Sequence, residues 1–347
     1  MDNLFGKTLG EFKDIVNKLE LPNYTATQIS DWLYKKKIVS FDQMTNISKQ
    51  SREKLSENYE LRFMAHSKVD NSADGTKKYL FPASSNRYIE AAFIPELKRN
   101  TLCISSQVGC KMGCLFCLTG KQGFQANLGV DEILNQVQLL PERDSLTNIV
   151  YMGMGEPMDN INNVLKSIEV LTSEYGYFWS PKRITVSTIG IIPAMQQFME
   201  KCRCHIAISL HTPFEDERKK LMPIQNVYPI IDVIKALRKY DFSGQRRVSI
   251  EYIMFSGLND SLRHANELVR LLSGLKCRIN LIRFHPIYNS PLRASDDITI
   301  QQFMDKLNKK GITTTLRASR GQDIGAACGL LSTKEMIKKN TNVTENL

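Results

Sequence analysis

The chain has no apolar run approaching the roughly 20 residues that span a bilayer, which excludes a membrane helix from its 347 residues. No basic stretch followed by an apolar core opens it after Met1-Asp2-Asn3-Leu4-Phe5, so no secretory leader is expected and a cytoplasmic location is. Neither an internal repeat nor a low-complexity segment is present, which sets aside solenoids and disordered arrays. No dinucleotide-binding glycine fingerprint opens the strand–helix series described below. The 8 cysteines, without a leader, argue against a disulfide scaffold; in that setting clustered cysteines mean metal or catalysis.

Ordinary globular character is present, with 42% hydrophobic residues. So is a surplus of positive charge, +10 in all. It is not spread evenly. Residues 1–62 carry 10 basic and 9 acidic side chains, whereas 218–247 carry 8 and 2, and 278–320 carry 8 and 3. A field of this kind suits nucleic acid, and a solvated surface is the alternative.

Residues 1–62 read as a small helical accessory domain. Leu9, Phe12, Ile15, Val16 and Leu19 recur at helix spacing, Pro22 stops the run, and Ile29, Trp32 and Leu33 mark a second inner face. Lys35, Lys36 and Lys37 suit a helix C-terminus, with phosphate contact as the alternative. Residues 63–99 read as a strand hairpin linker, and Glu90 within it reads as a carboxylate on a wet face. From residue 100 to 331 strands alternate with helices, which implies a parallel sheet and an α/β fold. Strands are expected near 102–106, 148–152, 183–187, 205–210, 248–254, 278–284 and 313–317. This number of units fits a partial (β/α) barrel, whose chemistry would lie at the C-terminal ends of the strands. A polar tail follows over 332–347.

After the first expected barrel strand stands Gly109-Cys110-Lys111-Met112-Gly113-Cys114-Leu115-Phe116-Cys117. Three thiols on one short loop can hold three irons of a [4Fe–4S] cubane and leave the fourth open. A structural zinc site with Cys103 as fourth ligand is the alternative. Met152-Gly153-Met154-Gly155-Glu156-Pro157 follows the second strand, where glycines admit a ligand to the backbone and Glu156 could accept from an ammonium group. Ser187, Ser209-Leu210-His211 and His285 end later strands on the same rim. Each alone reads as a satisfied rim group; together they make a polar pocket. Cys328 follows the last strand, and Cys103 lies in the first. The pair could face one cavity and exchange protons, form a disulfide or carry a group, or be two buried thiols. Cys202, Cys204 and Cys277 read as buried thiols.

The cysteine loop resembles that of the radical S-adenosylmethionine (SAM) enzymes. Five stretches together resemble the RlmN/Cfr family of RNA adenine methyltransferases, chiefly its RlmN side. They are Ser105-Ser106-Gln107-Val108-Gly109-Cys110, Met152-Gly153-Met154-Gly155-Glu156-Pro157, Ser209-Leu210-His211, Asn280-Leu281-Ile282-Arg283-Phe284 and Asp323-Ile324-Gly325-Ala326-Ala327-Cys328-Gly329.

The resemblance implies a partial barrel of the radical SAM type with a [4Fe–4S] cluster on Cys110, Cys114 and Cys117. It implies a SAM site at Gly155, Glu156, Ser187, Ser209, Leu210, His211 and His285, although the family often has Asn where this chain has His285. Two SAM would be used per turnover. The first would methylate Cys328. The second would be cleaved to a radical that activates that methyl for adenine C2, with Glu90 as base and a Cys103–Cys328 disulfide left behind. The implied substrates are an adenosine in the peptidyl-transferase region of 23S rRNA and the tRNA adenosine 3′ of the anticodon. A flavodoxin or ferredoxin would supply electrons to a monomer. Cfr-like methylation at C8, conferring antibiotic resistance, is the alternative within the family. A non-catalytic metal-bearing RNA-binding protein is the alternative of another class.

Overall fold

The first helix begins where the sequence caps it. Thr8 accepts from the Glu11 amide, and the Glu11 carboxylate accepts from the Thr8 amide at 2.8 Å, so donors that a helix start leaves unpaired are satisfied. The computed structural model describes residues 1–244 and 246–333. Helix α1 (Leu9–Lys18) buries Phe12, Ile15 and Val16. Helix α2 (Thr25–Ser30) runs into a π-helical turn over Asp31–Lys35, and α3 (Lys49–Asn58) is capped by Ser48. A short parallel pairing of Asp2–Asn3 with Tyr59–Glu60 joins the two ends of this helical segment. Lys35 and Lys36 pair with Asp31 and Lys37 with Asp144, so the lysine run has local acidic partners.

Among the described residues the main sheet has 10 strands, lying side by side in chain order. Strands β1 (Lys68–Asn71), β2 (Lys77–Ala83) and β3 (Arg87–Glu96) are antiparallel. The segment read as a linking hairpin therefore extends the sheet, and β3 pairs with β4 (Arg99–Ile104) with Ala92 opposite Cys103. From β4 onward every pairing is parallel: β5 (Asn148–Tyr151), β6 (Ile184–Thr188), β7 (His205–Ser209), β8 (Val248–Met254), β9 (Cys277–Arg283) and β10 (Thr314–Leu316). Parallel strands need crossovers, and helices supply them. They are α5 (Val130–Gln138), α6 (Ile161–Thr172), α7 (Ile192–Lys201), α9 (Ile230–Leu237), α10 (Leu262–Leu272) and α11 (Asp297–Lys309). This is the expected partial (β/α) barrel.

Two short helices escape the periodicity of the sequence: α4 (Leu118–Gln122), directly after the cysteine loop, and α8 (Glu215–Leu221). Both are shorter than the window over which a 3.6-residue period can be read. The outer faces of the strands and the inner faces of the helices share one large core, including Leu102, Ile149, Ile184, Ile206, Ile250 and Ile279. A smaller apolar cluster of Met112, Phe116, Ile189, Met222, Phe255 and Phe284 backs the cysteine loop. Beyond β10 the chain crosses back to β1–β2. Ser72 donates to Asp323 at 2.6 Å and the Gly321 amide to Asp74 at 2.9 Å. Of the expected polar tail, 334–347 lie outside the described residues. Ser332 and Thr333 are tied to the Gln122 side chain. No helix of the described residues is long and apolar enough to cross a membrane.

Candidate active site

The loop from Gly109 to Cys117 leaves the end of β4 and folds on itself. Gly109 has φ 71°, and a Cβ there would meet the Gly123 carbonyl oxygen at 1.7 Å, so only glycine fits. The Leu115 amide donates to the Leu221 carbonyl at 2.9 Å, seating the loop on α8. The Leu118 amide donates to the Gly329 carbonyl at 2.8 Å. That bond lays the segment carrying Cys328 directly over the cysteine loop. Gly329 has φ 82°, and a Cβ there would stand 3.1 Å from the Phe116 carbonyl oxygen.

One cavity of about 710 Å³ opens inside the barrel. Cys103, Cys110, Cys114, Cys117, Gly155, Glu156, Ser187, Ser209, His211, His285 and Cys328 all wall it. Two residues expected at the site do not. Leu210 is fully buried in the apolar core, and only its neighbours face the cavity. Glu90 lies behind the wall, with Lys78 Nζ at 3.1 Å and the Ser332 amide at 2.9 Å from its carboxylate oxygens.

Burial dominates the electrostatics. It pushes the Cys110 thiol up to about 12 and the Cys114 and Cys117 thiols upward as well, the last moderated by hydrogen bonds from Gly120 and Thr119. It pushes Cys103 up to about 12, with Cys328 adding to the rise and Arg317 opposing it. Burial also raises Glu156 to about 7, although its oxygens accept from the Met158 amide at 3.0 Å and the Ile189 amide at 3.1 Å. His211 is driven down to about 3 and is therefore neutral. Its Nδ1 accepts from the Ile253 amide at 3.0 Å, which leaves Nε2–H as the donor. His211 also holds φ 59°, an unusual value for a non-glycine residue, maintained by Asn259 bonding to its carbonyl.

Several site residues were not visible in the sequence. Arg218 lies in a basic segment read as suited to nucleic acid or to a solvated surface, yet it is fully buried. Its guanidinium donates to the carbonyls of Ile189, Ser209 and Leu210 and to Gln225 Oε1. It thus ties the ends of β6 and β7 together beside Cys114, whose thiol feels its charge. Arg317 and Glu251 form an ion pair at 3.4 Å in the cavity wall. The alternation Arg247-x-Ser249-x-Glu251 in and before β8, and Arg278-x-Asn280 in β9, was the available signal. In a parallel sheet covered on both faces such strands should read as continuously apolar.

Residues 2–61 match the family described as the ribosomal RNA large subunit methyltransferase N-terminal domain, and residues 104–271 match the radical SAM superfamily. The probable dual-specificity RNA methyltransferase RlmN of Parabacteroides distasonis is 54% identical over 334 residues, covering 96% of this chain and 97% of that protein. The chain belongs to the RlmN family. A more distant relative, the dual-specificity RNA methyltransferase RlmN of Syntrophus aciditrophicus, is 41% identical over 341 residues, covering 97% of this chain and 98% of that protein. The crystal structure of a radical SAM methyltransferase from Sphaerobacter thermophilus superposes with a TM-score of 0.89 at 38% identity, covering 95% of this chain and 99% of that one.

Membership of the RlmN family makes the chain a radical SAM methyltransferase, a class that uses a [4Fe–4S] cluster and SAM. The donor set fits such a cluster. Three thiols of one loop, those of Cys110, Cys114 and Cys117, wall one cavity, and each can hold a separate iron of a cubane.

Proposed function

We propose that this protein methylates C2 of adenosine in RNA, in 23S rRNA and in tRNA, through a methyl group carried on Cys328. The observation that carries the reading is the shared cavity: Cys328 and Cys103 line the same space as Cys110, Cys114 and Cys117. C2 of adenine is electron-poor and does not attack a methyl cation equivalent, so a polar transfer fails there. Cys110, Cys114 and Cys117 would hold the cluster and the Glu156–His211 rim would hold SAM, and the chemistry the two would supply there is one-electron, radical chemistry.

The chain's own residues do the rest. Cys328 accepts a methyl on sulfur and presents it to the base. Arg317 faces Cys328 and Cys103 with a fixed positive charge, which opposes the rise that burial imposes on the Cys103 thiol. Once the carrier carbon is bonded to C2, Glu90 would take the C2 proton. The Cys103 thiolate would then bond to the Cys328 sulfur and break its bond to the methylene, which takes up a proton to become the methyl, while one electron, equal to the one that began the reaction, is released and a Cys103–Cys328 disulfide is left. Since Lys78 and the Ser332 amide engage the Glu90 carboxylate, the segment after Cys328 must shift for Glu90 to reach the base.

Two SAM are consumed per turnover, a flavodoxin- or ferredoxin-type protein supplies electrons, and the enzyme acts as a cytoplasmic monomer. The helical accessory domain (1–62) contacts RNA and the barrel (100–331) carries the chemistry. The match of residues 2–61 to the RlmN-type N-terminal family favours C2 over C8. Mass spectrometry of the Cys328 peptide after expression with the cluster intact tests the first half-reaction, with one added methyl expected. Digestion of modified RNA to nucleosides tests the second. Methyladenosine formed by a Cys328→Ala variant, or a methyl mapped to C8, overturns the reading.

A further inference from the structure

Cys202-Arg203-Cys204 joins α7 to β7. Both cysteines read as buried thiols from the sequence, but the structure separates them. Cys204 is fully buried in the main core. Cys202 is half-buried at the C-terminal end of α7, where its amide donates to the Phe198 carbonyl at 3.1 Å. Neither lines the cavity of the candidate active site, and the chemistry proposed above uses neither.

Arg246 is anchored on the same helical turn. Its Nη1 donates to the Met199 carbonyl at 2.8 Å and to the Met199 sulfur at 3.5 Å, three residues before Cys202. Arg246 is only 8% exposed, yet its Nε and Nη2 are buried without a hydrogen-bond partner among the described residues. Those two atoms form one edge of the guanidinium fork, which suits anionic acceptors. Leaving such donors buried and unpaired is costly. Burial lowers Arg246, and Cys202 is the chief group opposing that shift.

The charge acts on the sulfurs in turn. Cys202 is lowered, foremost by a hydrogen bond with the Cys204 thiol, then by the Cys204 amide, Arg246 and Arg203, against burial. Cys204 is raised by the same bond and by burial. The proton of the pair therefore sits on the inner sulfur. A helix C-terminus is a poor place for an anion, so the arginines and the Cys204 thiol, not the helix, favour thiolate at Cys202. Cys277 is a comparison within the same chain. It too is half-buried, at the start of β9, but burial alone acts on it and pushes it up to about 12.

We propose that Cys202 is a site of oxidation by hydroperoxides, with Arg246 holding the oxidised sulfur and Cys204 resolving it. The Cys202 thiolate attacks one peroxide oxygen. The O–O bond breaks, sulfur gives up two electrons, and the other oxygen leaves as hydroxide, which takes a proton from solvent. The product is a sulfenic acid, whose oxygen supplies the acceptor that the Nε–Nη2 edge lacks. The Cys204 sulfur then bonds to the Cys202 sulfur, and the oxygen leaves as water with the Cys204 proton. Residues two apart span at most about 7 Å, at the upper end of what a disulfide bridges. Cys202, Arg203 and Cys204 lie outside both α7 and β7, so the connection can shorten by turning at Arg203. The inference is independent of the RNA reading.

The test uses the full-length, cluster-loaded protein in anaerobic buffer at neutral pH. Iodoacetamide labelling, followed on peptic peptides by mass spectrometry, is expected to modify Cys202 about a hundredfold faster than Cys277. Arg246→Gln is expected to slow labelling of Cys202 about tenfold, as one unit of rise in its thiol would, and to leave Cys277 labelling and iron content unchanged. Stoichiometric hydrogen peroxide is expected to give a Cys202–Cys204 disulfide in the unaltered protein. In a Cys204→Ser variant it is expected to give a Cys202 sulfenic acid that dimedone traps. Equal labelling of Cys202 and Cys277 overturns the proposal. So does labelling of Cys202 unmoved by Arg246→Gln, or peroxide that leaves Cys202 reduced in both proteins. Trapped sulfenic acid in equal amount with and without Cys204 overturns the resolving role.

Discussion

Arg317 Nη1 stands 3.4 Å from Glu251 Oε2, and the guanidinium faces the sulfurs of Cys328 and Cys103. Cys328 is the largest cause holding Arg317 protonated, ahead of Glu251. The reciprocal effect is on the thiols: Arg317 lowers Cys103 against the rise that burial imposes. Arg317→Met is expected to raise the Cys103 thiol further and to slow closure of the Cys103–Cys328 disulfide. At neutral pH the thiolate fraction falls about tenfold for each unit of rise. Stopped-flow oxidation of the apoprotein by a small disulfide, with the product mapped by mass spectrometry, measures this. Arg317→Lys should recover part of the rate.

The cluster ligands make a different prediction. Without metal, burial holds Cys110, Cys114 and Cys117 protonated well above neutrality. Metal binding must therefore expel protons. Iron and sulfide loading is expected to rise with pH between about 6 and 8 and to release protons to an unbuffered solution. Replacing any one of the three cysteines with alanine should abolish stable loading, whereas Cys277→Ala should not. Iron and sulfide per chain are the readout.

Glu156 gives a stability signature of unusual sign. Its carboxyl is raised to about 7 by burial, so between the unfolded value near 4.5 and the folded value the native state holds the proton more tightly. Stability from this source is fully present below 4.5 and is lost as pH rises through about 7. Urea denaturation of the apoprotein at pH 5 and pH 8 should show the unaltered chain losing, relative to Glu156→Gln, on the order of 3 kcal/mol across that interval. An equal pH dependence in the two proteins would contradict it. An ammonium group docked on Glu156 restores the charged form, so SAM affinity should increase over the same window.

Two glycines test the loop geometry. Gly109→Ala places a Cβ 1.7 Å from the Gly123 carbonyl oxygen, and backbone cannot yield as a flexible side chain can. Cluster loading should be lost while the helical segment keeps its fold, which circular dichroism and iron content separate. Gly329→Ala is milder: the left-handed backbone costs roughly 1 kcal/mol for a residue with a Cβ. The Cβ must also pass 3.1 Å from the Phe116 carbonyl oxygen. It should leave the cluster loaded and reduce methylation of Cys328.

The C-x3-C-x2-C spacing, the capped first helix and the alternation of strand and crossover helix are local properties. A chain carries them in neighbouring residues, so periodicity and spacing were enough to read the partial barrel and its cysteine loop. Strand β8, Val248–Met254, coincided with its expected bounds because Val248, Ile250, Tyr252, Ile253 and Met254 carry strand-forming side chains along it. What only the tertiary structure decided depends on register and on burial from several elements at once. Cys103 and Cys328 share a cavity because the loop after β10, an edge strand, crosses back and packs Ala326 beside Cys103. The basic residues of 218–247 divide: Arg218, on the inner face of α8, is buried behind the cysteine loop, and Arg247, just before β8, lines the cavity. Leu210 turns into the core while Ser209 and His211 face the cavity, a consequence of strand alternation and of the left-handed turn at His211. Charge counted along the chain cannot distinguish these fates, because desolvation is set by neighbours distant in sequence.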